Sequence, residues 1–408
     1  MTTDALMDDA SLSATVEAAK DEAQDLLAAL VQHPTENPPG DLGDATEWLA
    51  ETLEGRGLEV ERHPVPKPFA RGHKRTGIVN LIVGHTFGSG PTVCLHAPLD
   101  TLPAGKGWRR EPFSGAVHNG LLHGRGARDS KADLVAYLFA LEALKGQGAG
   151  LSGRVEIHIT GDEESGGFLG PAFLIGHGLS APDAVIAAGT SHQVVTGQQG
   201  VLHLEVVLRG RQAHASKPED GADAILAAIP LLQAVADLSA RERTPLTIGT
   251  VRGGRGVNLV ADRARFTIDR RINAGEDGEA VEAALAEHIR AAHTMAGVEL
   301  EVRRLLLAEP VVPSPESERL AETLARHAEA AIGRPVPVAS APVVSGARHY
   351  ALAGIPTVLY GVGPPIVGEG ADMGEDECVS LNDLACATLA VASTVAELLG
   401  PDSRLRAG

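Results

Sequence analysis

The fold of this chain is decided by one stretch, Val155-Glu156-Ile157-His158-Ile159-Thr160-Gly161-Asp162-Glu163-Glu164-Ser165-Gly166-Gly167. Apolar and polar residues alternate from Val155 to Thr160, which predicts a strand with one face in a core. Three carboxylates, Asp162, Glu163 and Glu164, follow where that strand ends. Open α/β sheets bind ligands at the carboxyl ends of their strands, so this acidic turn is the first candidate site. A solvated turn is the alternative, because charge runs usually face water.

Composition excludes several classes of partner. The 408 residues carry a net charge of -18, which repels a phosphate backbone, and only 3% of them are aromatic. We therefore expect neither nucleic acid nor an anionic membrane as a partner. Three cysteines without metal-type spacing, an acidic start from Met1 to Ala10 and the lack of an apolar run of membrane-spanning length predict a cytoplasmic protein.

Strand and helix patterns alternate along most of the chain, which predicts an α/β fold with a mostly parallel central sheet. After Gln198 the pattern changes to the order β-α-β-β-α-β, and the α/β pattern resumes past Pro310. We predict a catalytic domain formed by residues 1–198 and 309–408. An inserted two-layer domain, residues 199–308, interrupts it.

Short blocks with polar or glycine-rich sequences follow one another in a fixed order: Asn37-Pro38-Pro39-Gly40, Asp100-Thr101-Leu102-Pro103, Gly124 to Lys131, Asp162-Glu163-Glu164, Ala213-His214-Ala215-Ser216, Gly253-Gly254 with Asn258, Asp269-Arg270-Arg271, Arg348, Gly354-Ile355-Pro356-Thr357 and Glu375-Asp376-Glu377. In this order they resemble the co-catalytic zinc peptidases and aminoacylases, a family that includes carboxypeptidase G, acetylornithine deacetylase and succinyl-diaminopimelate desuccinylase. The resemblance covers most of the chain. It implies amide hydrolysis, with the insertion as a ferredoxin-like lid and dimerisation domain and the protein as a homodimer.

The resemblance implies catalytic roles for three residues. Glu163 corresponds to the general base, Asp100 to the aspartate that supports the metal site, and His214 to the donor that stabilises the oxyanion. Taken alone, His214 is better explained as a surface loop residue than as a catalytic one.

Three further residues correspond to the region that binds the substrate carboxylate: Asn258, Arg271 and Arg348. Each has a purely structural alternative. Asn258 fits a turn, Arg271 can pair with Asp269 on a strand face, and Arg348 can begin a helix.

The metal ligands that the resemblance implies are incomplete. A two-zinc hydrolase needs five ligand positions, and Asp129 as the bridging residue and Glu164 fill two of them. Pro98 stands where a histidine is expected and Ala188 where an acidic ligand is expected, so the second zinc should be absent. The family's last histidine ligand, expected a few residues before Glu377, is also missing, and Asp372 is the nearby donor. Asp129, Glu164 and Asp372 would suit one hard cation, Mg²⁺, Mn²⁺ or Ca²⁺, better than Zn²⁺.

Two other arrangements stay open. Without any metal, Asp100, Asp129, Glu163 and Glu164 would repel one another in the cleft, and some of them would stay protonated. The missing positive charge would then come from a side chain: Arg128, Arg348, His96 or His192. Alternatively, His96 or His192 replaces a lost ligand and rebuilds a two-metal site.

Three functions follow from these readings. The first is hydrolysis of an amide bond in a small, carboxylate-bearing N-acyl amino acid or short peptide, with at most one hard cation. The second is metal-independent chemistry on the same scaffold, such as cyclisation, dehydration, epimerisation or amide formation, with Glu163, Asp100 and His214. The third is a non-catalytic binding protein.

Overall fold

A computed structural model describes residues 9–73, 75, 77–147, 150–241, 245–364, 376–401 and 403. The chain divides into two units. The first comprises Met1–Gly197, Pro313–Ala341 and Ser345–Gly408, and the second comprises Gln198–Val312 and Pro342–Val344.

The helices of the described residues are α1 (Asp9–Ala18), α2 (Lys20–Gln32), α3 (Gly43–Gly55), α4 (Lys67–Gly72), α5 (Ala132–Gln147), α6 (Pro171–Gly176), α7 (Ala224–Arg241), α8 (Gly278–Ala291), α9 (Pro315–Ile332), α10 (Arg348–Leu352) and α11 (Leu381–Leu399). The strands are β1 (Glu59–Pro64), β2 (Val79–Thr86), β3 (Thr92–Pro98), β4 (Ala116–His118), β5 (Leu121–His123), β6 (Arg154–Thr160), β7 (Ala184–Ala187), β8 (Val194–Gln198), β9 (Gly200–Arg209), β10 (Leu246–Gly253), β11 (Arg263–Ile272), β12 (Glu299–Ala308), β13 (Val338–Ala341), β14 (Thr357–Leu359) and β15 (Cys378–Ser380).

A large sheet forms the centre of the first unit, with the strand order β1-β2-β6-β3-β7-β14-β8-β13 in the described part of the chain. The neighbours β6, β3, β7 and β14 are parallel, whereas β1 and β2 pair antiparallel at one side. Leu95 of β3 pairs with Ile157 and Ile186, and all three side chains are fully buried. Parallel strands that are covered on both faces have largely apolar sequences, as these strands do. The parallel pairing confirms the predicted centre of the sheet. Its strands end at one edge.

Apolar helix residues complete the core of the first unit. The helix α11 packs on both α5 and α9, and α5 also contacts β3 and β6. The Leu138 and Val391 side chains are at most 1% exposed there. A smaller separate cluster lies where α4 and α6 contribute Ala70 and Phe173.

The second unit has the predicted order β-α-β-β-α-β, realised as β9, α7, β10, β11, α8 and β12. Its sheet has the strand order β10-β11-β9-β12 with antiparallel pairs. Phe266 and Leu204, both fully buried, belong to its core. Within the described residues, β10 and β12 are the two edge strands of this sheet.

One helix begins later than the sequence predicts. The pattern predicts a helix that opens at Arg128, but α5 begins at Ala132. The preceding residues form an irregular turn in which Asp129 has φ -125° and ψ 90°, after Gly126 with φ 79°. The turn places Asp129 outside the helix, where its carboxylate accepts a hydrogen bond from the Ser130 hydroxyl at 2.7 Å.

Two described helices, α7 and α11, have the length and hydropathy of a membrane span. This corrects the sequence expectation that no apolar run approaches that length. Both helices contribute to cores, with Leu231 of α7 and Val395 of α11 fully buried. Because a core helix of a globular protein meets the same criteria, these two helices are weak evidence for a membrane protein.

Candidate active site

Asp100 joins two strand ends of the parallel sheet. It follows β3, is 2% exposed, and accepts hydrogen bonds from the backbone N–H of Glu163 at 3.0 Å and of Glu164 at 3.1 Å. The Asn37 amide donates a third hydrogen bond at 2.9 Å. Burial raises the pKa of Asp100, and these hydrogen bonds oppose the rise. Asp100 therefore holds the backbone of the acidic turn, as a supporting residue should.

Glu163 and Glu164 lie in a single turn of 3₁₀ helix, Glu163–Ser165, directly beyond β6. Burial raises the pKa of Glu163 well above its usual value, and the negative charges of Glu164, Asp129 and Asp100 add to the rise. Burial and the charges of Asp129 and Asp100 raise the pKa of Glu164 to about 8. The structure thus brings together the four carboxylates that the sequence assigns to the cleft.

Glu377 fixes the turn that carries Asp129. Its Oε1 accepts from the backbone N–H of Arg128 at 2.9 Å and of Asp129 at 3.2 Å. Its Oε2 accepts from the Gly126 N–H and the Arg125 guanidinium, both at 2.9 Å. Sequence reasoning quoted Glu377 in a family block but gave it no role. Its position in that block was the available sequence signal for a role. Only the tertiary structure shows which backbone groups the carboxylate of Glu377 binds.

Two arginines lie close enough to the acidic residues to affect their ionisation. The charge of Arg348, which is 3% exposed, opposes the rise in the pKa of Glu163. Arg125 does the same for Glu164, and its guanidinium lies 5.2 Å from the centre of the Trp108 ring. The sequence named Arg348 as a candidate cation but missed Arg125, which lies in the same block as Asp129.

The two histidines considered as substitute ligands have other partners. His96 is 2% exposed, and its Nε2 lies 3.0 Å from the Thr160 hydroxyl. Burial lowers the pKa of His96 to about 3, so this imidazole is neutral. The Nε2 atom of His192 lies 3.6 Å from a carboxylate oxygen of Asp383. The geometry gives no support to a two-metal site rebuilt with these residues.

A pair of zinc ions does not fit the described residues. Pro98, the last residue of β3, and Ala188, just beyond β7, carry no donor atom on their side chains. Among the described residues, no group of three or more His, Cys, Asp or Glu side chains is arranged to hold a metal ion. Asp129 and Glu164 remain as two oxygen donors for a single cation. Asp372, the third predicted donor, lies outside the described residues.

The remaining predicted residues belong to the second unit. His214 is exposed, with its Nδ1 2.8 Å from the Ser216 hydroxyl. The exposed Asn258 lies next to this turn, because its carbonyl accepts from the Ala215 N–H at 3.0 Å. Arg271 donates from Nε to Asp269 at 3.1 Å, which is the structural alternative named for it.

Comparison with known proteins gives consistent matches along most of the chain. The profile of peptidase family M20/M25/M40 matches residues 94–397. The succinyl-diaminopimelate desuccinylase of Gluconacetobacter diazotrophicus is 29% identical over 398 residues, which are 92% of this chain and 96% of that protein. The enzyme of the same name from Nautilia profundicola is 25% identical over 354 residues, 83% of this chain and 90% of that protein.

Solved structures share the fold. An M20 family metallo-carboxypeptidase from Sulfolobus solfataricus matches with a TM-score of 0.76 and 18% identity, covering 92% of this chain and 99% of that one. A di-peptidase from Saccharomyces cerevisiae matches with a TM-score of 0.78 and 14% identity, covering 96% and 98%. At this level of identity the likeness concerns the fold alone.

Proposed function

Because the chain belongs to peptidase family M20/M25/M40, and is thus an enzyme of the hydrolase type, we propose that it hydrolyses an amide bond with at most one hard cation in place of two zinc ions. The substrate we propose is a small N-acyl amino acid or short peptide with a carboxylate, since relatives are named for removing a succinyl group from diaminopimelate. The observation that carries the proposal is the acidic cluster at the strand ends, with donor-free Pro98 and Ala188 at two ligand positions. We retain the cytoplasm as the proposed location.

Glu163 is the proposed general base. It takes a proton from the attacking water and passes it to the leaving amine. The positive charge of Arg348 helps Glu163 to ionise despite its burial. Asp100 fixes the backbone of Glu163, and His214 of the second unit is the proposed donor to the oxyanion. Asn258, Arg271 and Arg348 are retained as the proposed contacts of the substrate carboxylate.

Asp129 and Glu164, with Asp372, would hold the single cation. An all-oxygen donor set suits Mg²⁺, Mn²⁺ or Ca²⁺. When bound, such an ion would polarise the amide carbonyl.

A second candidate is metal-independent acid–base chemistry on the same scaffold, such as cyclisation, dehydration, epimerisation or amide formation. The observation that favours it is that one arginine charge acts on each of the two adjacent glutamates, Arg348 on Glu163 and Arg125, which itself binds Glu377, on Glu164. Fixed guanidinium charges can offset carboxylate charge without an ion.

Metal content separates the two candidates. The protein is purified without added metal, its metals are quantified by mass spectrometry, and amine release from N-succinyl and N-acetyl amino acids is followed. One equivalent of a hard cation with metal-dependent amine release supports hydrolysis with one ion. A protein that contains no metal and releases no amine from these substrates supports the second candidate. Two equivalents of zinc per chain contradict both.

Glu163→Gln tests the base. We expect turnover to fall by at least about 100-fold, since general-base catalysis contributes that much or more. The control is Glu142→Gln, which removes a carboxylate that pairs with Arg56 in the first unit. An unchanged rate in the Glu163 variant would exclude this residue as the base.

We also propose a homodimer through the second unit. Three large apolar side chains on α7 and β10 are more than half exposed: Leu226 at 54%, Ile229 at 55% and Val251 at 58%. The strand β10 lies at the edge of its sheet, where backbone groups are available for pairing. A second copy of this unit would cover both features.

A further inference from the structure

The strand β6 has a polar face that is partly buried at Arg154 and Glu156 and buried at His158 and Thr160. Arg154, Glu156, His158 and Thr160 alternate with apolar residues and form what we name the β6 polar stripe. His158 is fully buried and Thr160 is 2% exposed. A strand with a polar face usually turns that face to water. Buried polar groups need hydrogen-bond partners, so the partners of the stripe show what it does.

The outer end of the stripe is a fixed negative charge. Arg154 donates from Nε to Glu156 Oε1 at 2.8 Å, and the Ser180 hydroxyl donates to Oε2 at 2.6 Å. The Nε2 atom of His158 lies 3.2 Å from the same Oε2. Although burial raises the pKa of Glu156, these hydrogen bonds outweigh it and lower the value to about 2. Glu156 is therefore ionised and orients the His158 ring.

The other side of His158 meets a tyrosine. Its Nδ1 lies 2.8 Å from the hydroxyl of Tyr350, which is fully buried. In the tautomer whose Nε2 hydrogen points at Glu156, the Nδ1 atom accepts a hydrogen bond from the Tyr350 hydroxyl. The Glu156, His158 and Tyr350 side chains thus form one directed chain of hydrogen bonds.

Tyr350 belongs to α10, which also carries Arg348. This helix has five residues, and Ala347 before it supplies no side-chain cap. So short a helix is held by its tertiary contacts rather than by its own hydrogen bonds. Arg348 donates to the carbonyls of Gly166 and Ser345, and its charge acts on Glu163. The position of Arg348 consequently depends on what anchors α10.

We propose that Glu156, His158 and Tyr350 are positioning residues that hold α10, and with it Arg348, beside Glu163. None of the three needs to touch the substrate. The inference rests on the proposed function, because it concerns the arginine beside the proposed base. Residues that orient a functional group through hydrogen bonds typically change activity about 10-fold to 100-fold when they are removed.

Tyr350→Phe removes the hydroxyl and little else, and Tyr137→Phe is its matched control. Tyr137 is also fully buried, and its hydroxyl donates to the Tyr360 carbonyl at 2.6 Å. We expect kcat to fall about 10-fold in Tyr350→Phe with KM nearly unchanged. Tyr137→Phe should keep kcat within about twofold of the native enzyme. Equal kcat values in the two variants would overturn the inference.

A double-mutant cycle tests whether Tyr350 acts through Arg348. The kcat of Arg348→Ala is measured with and without Tyr350→Phe. If the hydroxyl acts only by placing the guanidinium, its removal has no further effect once Arg348 is gone. A full 10-fold loss in the Arg348→Ala background would contradict the positioning role.

Hydrogen exchange provides a readout that does not depend on activity. Peptides that cover residues 345–352 should exchange faster in Tyr350→Phe than in Tyr137→Phe. If this difference appears but amine release is independent of Glu163, the proposed function fails while the anchoring of α10 stands. If Glu163-dependent hydrolysis is present and the two variants exchange alike, the inference alone fails.

Discussion

At the residue scale, Pro98 and Ala188 are the basis of the proposal that the cleft holds at most one ion. Pro98 ends β3 and Ala188 follows β7, at the edge of the parallel sheet where Asp100 and Glu163 lie. We expect the double substitution Pro98→His and Ala188→Glu to raise bound zinc by one equivalent per chain, because it supplies a second pair of donors beside Asp129. Elemental analysis and zinc titration measure this.

Each single substitution is the control for that experiment. One added donor leaves the position short of a full set, so neither single variant should gain tightly bound zinc. A double variant with no more zinc than the native chain would show that these positions do not face a common ion site.

Glu164 gives the metal-free protein a pH-dependent stability. Its pKa is about 8 in the folded state against 4.5 for the free side chain. Between those values the folded state keeps a proton that the unfolded state has lost, so the free energy of unfolding falls as pH rises from 4.5 to 8. The raised pKa of Glu163 acts in the same direction.

Urea unfolding of chelator-treated protein at pH 5, 6.5 and 8 measures this effect. Glu164→Gln should flatten the decline, so the variant should be more stable than the native chain at pH 8. The exposed Glu299→Gln is the control and should leave the slope unchanged. An unaltered slope in Glu164→Gln would assign the decline to other groups.

The ordered sequence blocks and their resemblance to a known family were sufficient to select Asp100, Asp129, Glu163 and Glu164, which the structure brings together. Each lies at a strand end or turn that a local pattern reveals. Contacts between distant segments were not predictable in this way. Glu377 binds the turn of Asp129 across 248 positions of sequence, and no local pattern encodes that contact.

At the scale of elements, Lys131 joins the turn of Asp129 to the end of α2. Its fully buried Nζ donates to the carbonyls of Leu30 and His33, both at 2.9 Å. Lys131→Met should lower the free energy of unfolding by about 1–3 kcal/mol, because two carbonyls lose their donor. Urea denaturation measures the loss.

Lys145→Met is the matched control for that substitution. Lys145 also donates to a carbonyl, that of Gly57 at 3.2 Å, but at an exposed position. Its loss should cost less than about 0.5 kcal/mol. Equal losses in the two variants would mean that the burial of Lys131 adds nothing to the free energy of unfolding.

Long elements were predictable and short ones were not. The strand β6 has enough residues for a clear period, and the sequence predicted it from Val155 to Thr160. The three-residue strands β4 and β5 are too short to show one. The sequence also predicted too early a start for α5. Local sequence does not distinguish a carboxylate in the first turn of a helix from a carboxylate in an irregular turn before it.

At the scale of the whole molecule, the proposed dimer predicts a change of mass. Leu226→Asp with Val251→Asp introduces charges at exposed apolar positions of α7 and β10, so we expect a shift from dimer to monomer. Light scattering after size exclusion measures it. Leu305→Asp is the control, because Leu305 is 53% exposed on β12, the opposite edge of the same sheet. A monomeric native chain would contradict the proposal.

The carboxylate of Asp100 has a consequence for the tolerance of the cleft to substitution. It ties the acidic turn to a neighbouring strand through protein atoms alone, so the cleft keeps its shape when an ion leaves. A substitution at a coordinating position of this cleft should therefore leave the acidic turn folded, so that a change of metal content need not cost the protein its structure.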